Sequence, residues 1–294
     1  MPASTAVNDV VEAIENAGPL DSAVSAVRKV VTAVLRPQPL KDVLHGVPLG
    51  HPLHPMLTDI PIGMWSAAAV LDLIPGTAPA ATTLVATGLV AAGPTALAGW
   101  ADWSDLHPQQ QRVGLVHAAS NIAGMGLYTL SLAARMRERH LRGRLFGFAG
   151  LAAITVGGYL GGHLSYRQAA GVNHDEDIPH TFPSGWQPAG SLSDLPEGEL
   201  TRRTVAGLDL LVMRRGQAID VLADRCSHLS ASLSEGTFTV AEGQGCVVCP
   251  WHGSTFRLND GGVVHGPATA PQPVFETRVV DGRLEVMLPG ADAY

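Results

Sequence analysis

The chain has 294 residues and a formal net charge of −7. The length allows about two domains, the acidic balance offers no basic patch to neutralise phosphates and so excludes nucleic acid as a partner, and only three cysteines exclude a disulfide-stapled secreted domain. Charge is also spread unevenly: residues 55–170 hold 5 acidic and 7 basic side chains, against 13 and 8 in residues 183–294, so an apolar segment precedes a soluble one.

The start, MPASTAVNDV, has no basic stretch leading into an apolar core and no twin arginine, which predicts no signal peptide. Residues 7–16 and 20–35 place Val24, Val27, Val31, Val34 and Leu35 at helical spacing around a Gly18-Pro19 break. Residues 1–44 are therefore expected to form an arm of two amphipathic helices. The arm lies at a membrane surface or packs on the rest of the protein, and packing is favoured because Arg28 and Lys29 alone decorate the polar face.

Four apolar runs follow, Met56–Ile74, Ala80–Gly99, Val113–Ala134 and Leu145–Leu164, each 19 to 22 residues long. A helix needs about 20 residues to cross the hydrocarbon core, so residues 45–168 read as a four-transmembrane-helix bundle whose Gly and Ala content suits close packing in lipid. The alternative, a buried bundle in a soluble enzyme, fits poorly with four successive runs joined by short links. Residues 51–65, HPLHPMLTDIPIGMW, resemble the signature of a family of bacterial membrane proteins of unknown function. The resemblance covers roughly residues 45–165 and implies a multi-pass location in the bacterial cell membrane but no activity.

Four crossings would return the chain to its starting side. His51, His54, His107, His117 and His163 then share that face, and His140 lies opposite. Ionisable groups at membrane depth mark a site or a paired contact. Asp59 is a candidate to orient an imidazole, and His117 shares a helix face with Asn121. Three uses of His54, His117 and His163 stay open: haem b held by His117 and His163, a quinone site, or structural capping. The far-side sequence RMRERHLRGR nearly balances the near-side basic residues, so the positive-inside rule does not fix orientation; a cytoplasmic C-terminal domain is expected, since no export signal for a folded cluster domain is seen.

Residues 169–184 are polar, acidic and proline-containing and read as a solvated tether, in which His174, Asp175, Glu176 and Asp177 are a weak metal candidate. From 185 to 290 short β patterns appear: Leu208–Met213 and Ala218–Leu222 around an Arg215-Gly216 turn, Thr255–Leu258, Val274–Val280 and Leu284–Leu288. An all-β domain is predicted.

In that domain Cys226-Ser-His228 is answered by Cys249-Pro-Trp-His252. Each pair supplies one thiolate and one imidazole, which fits a two-iron cluster with sulfur ligands on one iron and nitrogen ligands on the other. Zinc also accepts Cys2His2, but zinc sites usually pair Cys with Cys and His with His. The run CPWHGSTF and the following GPATAPQPVFETRVVDGRLEV resemble the Rieske [2Fe-2S] family, its soluble ferredoxins and nitrite reductase small subunits in particular, over roughly residues 183–290. The resemblance implies that Cys226, His228, Cys249 and His252 bind the cluster and that Ser254 hydrogen-bonds it. Where high-potential relatives have a disulfide this chain has Ala231 and Trp251, and where they have a tyrosine it has Phe256. Fewer hydrogen bonds to the cluster lower its potential, which implies the lower part of the Rieske range, about −150 mV to near zero. Leu229, Trp251 and Pro267 are candidates to shield the cluster, His265 is not expected as a ligand, and Cys246 reads as a buried strand thiol.

The expected whole is a membrane-anchored Rieske iron–sulfur protein carrying single electrons between a redox partner protein and a membrane-domain acceptor or second protein, an electron-transfer component rather than a self-contained catalyst. The alternatives are a part in a Rieske oxygenase-type or quinol-oxidising system, or redox sensing without turnover. About 40 residues follow His252, too few for an oxygenase's catalytic iron domain.

Overall fold

The structure, a computed structural model, describes residues 6–241 and 243–290. The first five residues of the expected arm lie outside them. The chain divides into two compact units: one holds the chain up to Leu40 together with Leu53–Ala170, and the other holds Lys41–Pro52 together with everything from Gly171 onward.

The first unit is helical. Its arm has α1 (Ala6–Glu15) and α2 (Asp21–Val34); a third helix that the apolar spacing did not predict, α3 (Gln38–His45), begins in this unit, and from Lys41 on it belongs to the second. Val11 of α1 is buried with Val113 and Leu160, so the arm packs on the bundle. Polar contacts fix the same arrangement: Arg112 donates to both oxygens of Asp21 (2.7 and 2.9 Å), and Arg28 donates to the Ser104 carbonyl (3.0 Å).

The bundle consists of α4 (Leu53–Leu71), α5 (Ala78–Ser104), α6 (Pro108–Arg135) and α7 (His140–Tyr166). By length and composition two of the four, α5 and α7, are apolar and long enough to cross a membrane. Helix α6 is long enough but carries a polar face along its whole length. Gln110, His117, Asn121, Tyr128, Ser131 and Arg135 recur at intervals of three, four and seven, the period of one helix face. Glycines of α7 make room for that face. A Cβ on Gly157 would lie 2.4 Å from the Asn121 side chain, one on Gly150 3.0 Å from Tyr128, and one on Gly143 2.6 Å from Arg135. At the core of the bundle Trp65 stacks on Tyr128 with ring centroids 4.3 Å apart. Arg135 forms a buried two-point ion pair with Asp72, Nη1 donating to Oδ1 at 2.8 Å and Nη2 to Oδ2.

The second unit is built on three antiparallel sheets. β1 (Gln187–Ser191), β10 (Arg283–Met287) and β9 (Glu276–Val280) form the first, in that order. β2 (Leu200–Val205), β3 (Leu208–Arg215) and β4 (Ala218–Ala223) form the second, and β5 (Thr237–Ala241), β6 (Gln244–Val248), β7 (Thr255–Arg257) and β8 (Val263–His265) the third. β3 carries an unbroken apolar run, residues 210–213, because both of its faces are covered there. Leu210 and Val212 join one core with Phe275, Leu284 and Val286, while Leu211 and Met213 join another with Phe256, Leu258 and both motif cysteines. A strand that separates two cores fixes the cysteine-bearing loops against a rigid floor.

The stretch 169–184, expected as a solvated tether, forms part of this unit. It contains the short helix α8 (Ile178–Thr181), and Ile178 and Phe182 are buried in the first core. The acidic residues ahead of them are tied down as well, as the site shows.

Candidate iron–sulfur site

Two loops carry the paired Cys and His residues, and they share one backbone design. In the first, after β4, the Cys226 amide donates to the Ala231 carbonyl (2.8 Å) and the Ser230 amide donates back to the Cys226 carbonyl (2.8 Å). In the second, between β6 and β7, Cys249 N–H donates to Ser254 O (2.8 Å) and Gly253 N–H to Cys249 O (3.2 Å). Each loop therefore closes five residues beyond its cysteine, and the residue before closure has positive φ: Ser230 at 66° and Gly253 at 79°.

The closures bring the two imidazoles together and the two sulfurs together. The imidazoles of His228 and His252 lie edge to face with centroids 5.1 Å apart. Cys226 and Cys249 are buried, and their sulfurs hydrogen-bond each other. That bond, with burial, raises the Cys226 thiol well above its ordinary range, while accepting it draws Cys249 down to about 7 with help from the N–H groups of Trp251 and His252. Two sulfurs on a buried side and two imidazoles beside them form an S2N2 donor set. N–H groups already directed at sulfur suit thiolate ligands, so these residues fit a two-iron cluster.

A third loop, Gly266–Ala270, ties the two together. Ala268 N–H donates to Ser254 Oγ (3.0 Å), two residues beyond His252, and Ser227 Oγ, between Cys226 and His228, donates to Ala270 O (2.9 Å). Pro267 and Leu229 are buried in these loops, whereas Trp251 is 52% exposed beside His252. Phe256 is fully buried in the core, and Cys246 is buried in β6.

The first ligand loop is also held from behind, by His174, Asp175 and Asp177, which the sequence offered as a tether and weak metal candidate, and by Arg225 and Gln272, which it did not single out. Arg225 donates to Asp175 (2.9 Å) and pairs with Asp177. With its amide oriented as its neighbours require, Gln272 donates to Asp175 Oδ2 (2.6 Å) and accepts from Ser227 N–H (2.8 Å). His174 N–H donates to Ser227 O (3.0 Å). Asp175 is thus a buried anchor, and burial pushes its carboxyl up to about 6 even though Arg225 pulls it down. The signal in the sequence was Ile178 and Phe182 just beyond the acidic run, apolar residues with no place in a solvated tether.

In the helical unit His54 and His117 come together, with ring centroids 6.3 Å apart. Thr95 O holds His54 Nδ1 (2.9 Å), and Asp59 is exposed. His117 is bonded at both nitrogens, Nδ1 to Gly157 O (2.7 Å) and Nε2 to Asn121 (3.1 Å), and His163 engages Glu15 through Nε2 (2.5 Å). A haem held by His117 and His163 would have to break these bonds, so the haem expectation finds no support in this geometry.

Comparison with known proteins agrees with the two-unit division. Residues 185–276 match the Rieske [2Fe-2S] domain, and residues 50–174 match the family described as predicted membrane protein (DUF2231). The anthranilate 1,2-dioxygenase ferredoxin subunit of Burkholderia cepacia is 35% identical over 101 residues, 34% of this chain and 90% of that protein. Ferredoxin CarAc of Metapseudomonas resinovorans is 36% identical over 103 residues, 34% of this chain and 92% of that protein. Among solved structures, the ferredoxin of carbazole 1,9a-dioxygenase from Nocardioides aromaticivorans IC177 aligns at 25% identity over 36% of this chain and 99% of that one, with a TM-score of 0.33. The chain belongs to the Rieske [2Fe-2S] family, its ferredoxin-type domain joined to a DUF2231 domain.

Proposed function

We propose that the protein is a membrane-anchored one-electron carrier in which Cys226 and Cys249 hold one iron of a [2Fe-2S] cluster, and His228 and His252 the other. The observation that carries this is the meeting of two thiols and two imidazoles at the tips of two loops with matching closures. When bound, the cluster accepts and releases a single electron at a potential set by its ligands and their hydrogen bonds. The rest is done by the chain. Backbone N–H groups steady the two sulfurs, and Ser254, whose oxygen already accepts from Ala268, keeps a hydroxyl proton to donate toward the cluster. Leu229 and Pro267 exclude water, and Trp251 offers an exposed apolar contact beside His252. A redox partner protein docks at that histidine edge; the relatives are ferredoxin subunits of dioxygenases, which supports a partner of the oxygenase or reductase kind.

We further propose that α4–α7 all span the membrane, with the β unit on the cytoplasmic side. Large apolar side chains exposed around the bundle support this, among them Val70 (60%), Val90 (78%), Ile122 (60%) and Val156 (55%). For an acceptor within the helical unit, the edge-to-face pair of His54 and His117 favours a quinone over haem.

The test is an EPR-monitored redox titration of the whole protein in membranes. A Rieske signal with a midpoint between about −150 mV and zero is expected. A zinc-only protein without that signal would overturn the assignment, and labelling of single loop cysteines in intact cells decides the side.

A further inference from the structure

The chain immediately before α4 belongs to the iron–sulfur unit. Lys41–Pro52 clusters with residues 171 onward although about 120 residues of helical unit separate the two pieces. We infer that this segment is a strap that holds the third cluster loop in place, and that Asp42 is a positioning residue for the iron–sulfur site.

Both carboxylate oxygens of Asp42 are directed at the start of that loop. Oδ2 bonds His265 Nδ1 (2.9 Å) and Oδ1 accepts the Gly266 N–H (3.0 Å). Apolar contact reinforces the bond. His45 is 1% exposed, and a Cβ on Gly266 would meet Val47 Cγ2 at 3.1 Å and His45 Cδ2 at 3.2 Å. The strap is shaped for this task. A short 3-10 turn, Val47–Leu49, is bracketed by Gly46 at φ 90° and Gly50 at φ 64°, left-handed positions that favour glycine, and they let the chain curl back before it enters α4 at Leu53.

The gripped loop touches both ligand loops. Asp42 fixes Gly266; two residues on, Ala268 fixes the Ser254 hydroxyl; two further on, Ala270 fixes Ser227. A shift at Gly266 therefore reaches the ligand loops through short, bonded backbone. A carboxylate that accepts two hydrogen bonds at 13% exposure holds more firmly than a neutral contact would. The consequence is that the ferredoxin-type domain is completed by chain from upstream of the helical unit, so its cluster environment depends on a residue outside the span that carries the ligands.

This inference rests on the cluster assignment proposed above, and the experiment separates the two. Wild-type, D42N and D42A full-length proteins are titrated in membranes with EPR detection, and cluster loss to an external chelator is timed. D42A is expected to displace the midpoint and the EPR line shape and to lose its cluster about tenfold faster, the factor that one charge-assisted hydrogen bond represents. D42N retains an oxygen for Gly266 but lacks the charge, and is expected to fall between wild type and D42A. If D42A does not accumulate, G266A replaces it. The added Cβ should displace the midpoint, and V47A in the same chain should partly restore it by clearing the nearest atom. A wild type without the Rieske signal would remove the cluster assignment. A wild type with the signal, and D42A or G266A with unchanged midpoint, line shape and chelator resistance, would remove the strap.

Discussion

The two ligand loops reach the same closure by opposite means. The loop at Cys249 is a hairpin tip. Val248 and Thr255 pair in the β6–β7 ladder, the next hydrogen bond closes the loop itself, and Gly253 takes the left-handed position at no steric cost. The loop at Cys226 leaves β4 with a single isolated antiparallel rung, Arg225 to Ser232, in place of a continuing ladder. Further stiffness comes from buried polar groups: Asp175, Arg225 and Gln272 behind Ser227, and Asp224, which accepts from Ser234 N–H (2.6 Å) and forms an ion pair with Arg202 (3.1 Å). One loop is held by a backbone ladder and the other by one backbone rung together with long-range charge, so the two are expected to fail differently.

The largest effect is expected from Arg225. Its removal in R225A leaves the Asp175 side chain, 0% exposed, without its cation. Arg225 is itself 36% exposed, so its loss costs less than breaking a fully buried ion pair, about 2–3 kcal/mol, and the first loop should release its end of the cluster while the second stays closed. Denaturant unfolding followed in parallel with the EPR signal checks this; equal stability of R225A and wild type would mean that the anchor contributes nothing.

A second test on the same loop uses pH. Burial raises Asp175 from an ordinary 3.8 to about 6 in the folded protein. The folded state therefore holds this proton more tightly than the unfolded chain does. The contribution of Asp175 to stability is fully present below about pH 4 and is lost as pH rises through about 6, a change of at most about 3 kcal/mol. Asn cannot ionise, so wild type should weaken relative to D175N between pH 5 and pH 7.5. Thermal unfolding at both pH values measures the gap, and a gap that does not change with pH contradicts the raised carboxyl.

The contrast also explains what could be read from the sequence. The Cys-x-His and Cys-x-x-His pairs, and the Arg215-Gly216 hairpin, are local patterns and survive translation into structure unchanged. The 174–177 run misleads because charge in sequence normally means solvent, and nothing local says that Arg225, some 50 residues away, neutralises it. β5 and β6 went unread because the apolar residues of each are few and a polar turn separates them. Asp42 lies next to residues of a helical arm, and only tertiary packing assigns it to the other unit. The polar face of α6 was legible in its three- and four-residue spacing, but its role in packing required the glycines of α7, which look in sequence like generic membrane composition. Cooperation between distant segments was the part that pattern could not supply.

The smallest effects concern the left-handed residues at the two closures. At Gly253, φ of 79° with no backbone atom near a new Cβ means that G253A suffers only the intrinsic left-handed penalty, about 1–2 kcal/mol. Ser230 already bears that penalty at φ 66°. Replacing it in S230G relieves that penalty, about 1–2 kcal/mol, but frees the unfolded chain, which offsets about 0.5–1 kcal/mol of it. S230G should therefore unfold level with wild type or up to about 1.5 kcal/mol above it, with an unchanged EPR line, while G253A falls measurably below it. If instead S230G were the more damaging of the two, the Ser230 side chain would have to hold the first loop closed, and the two loops would differ in their closures as well as in their supports.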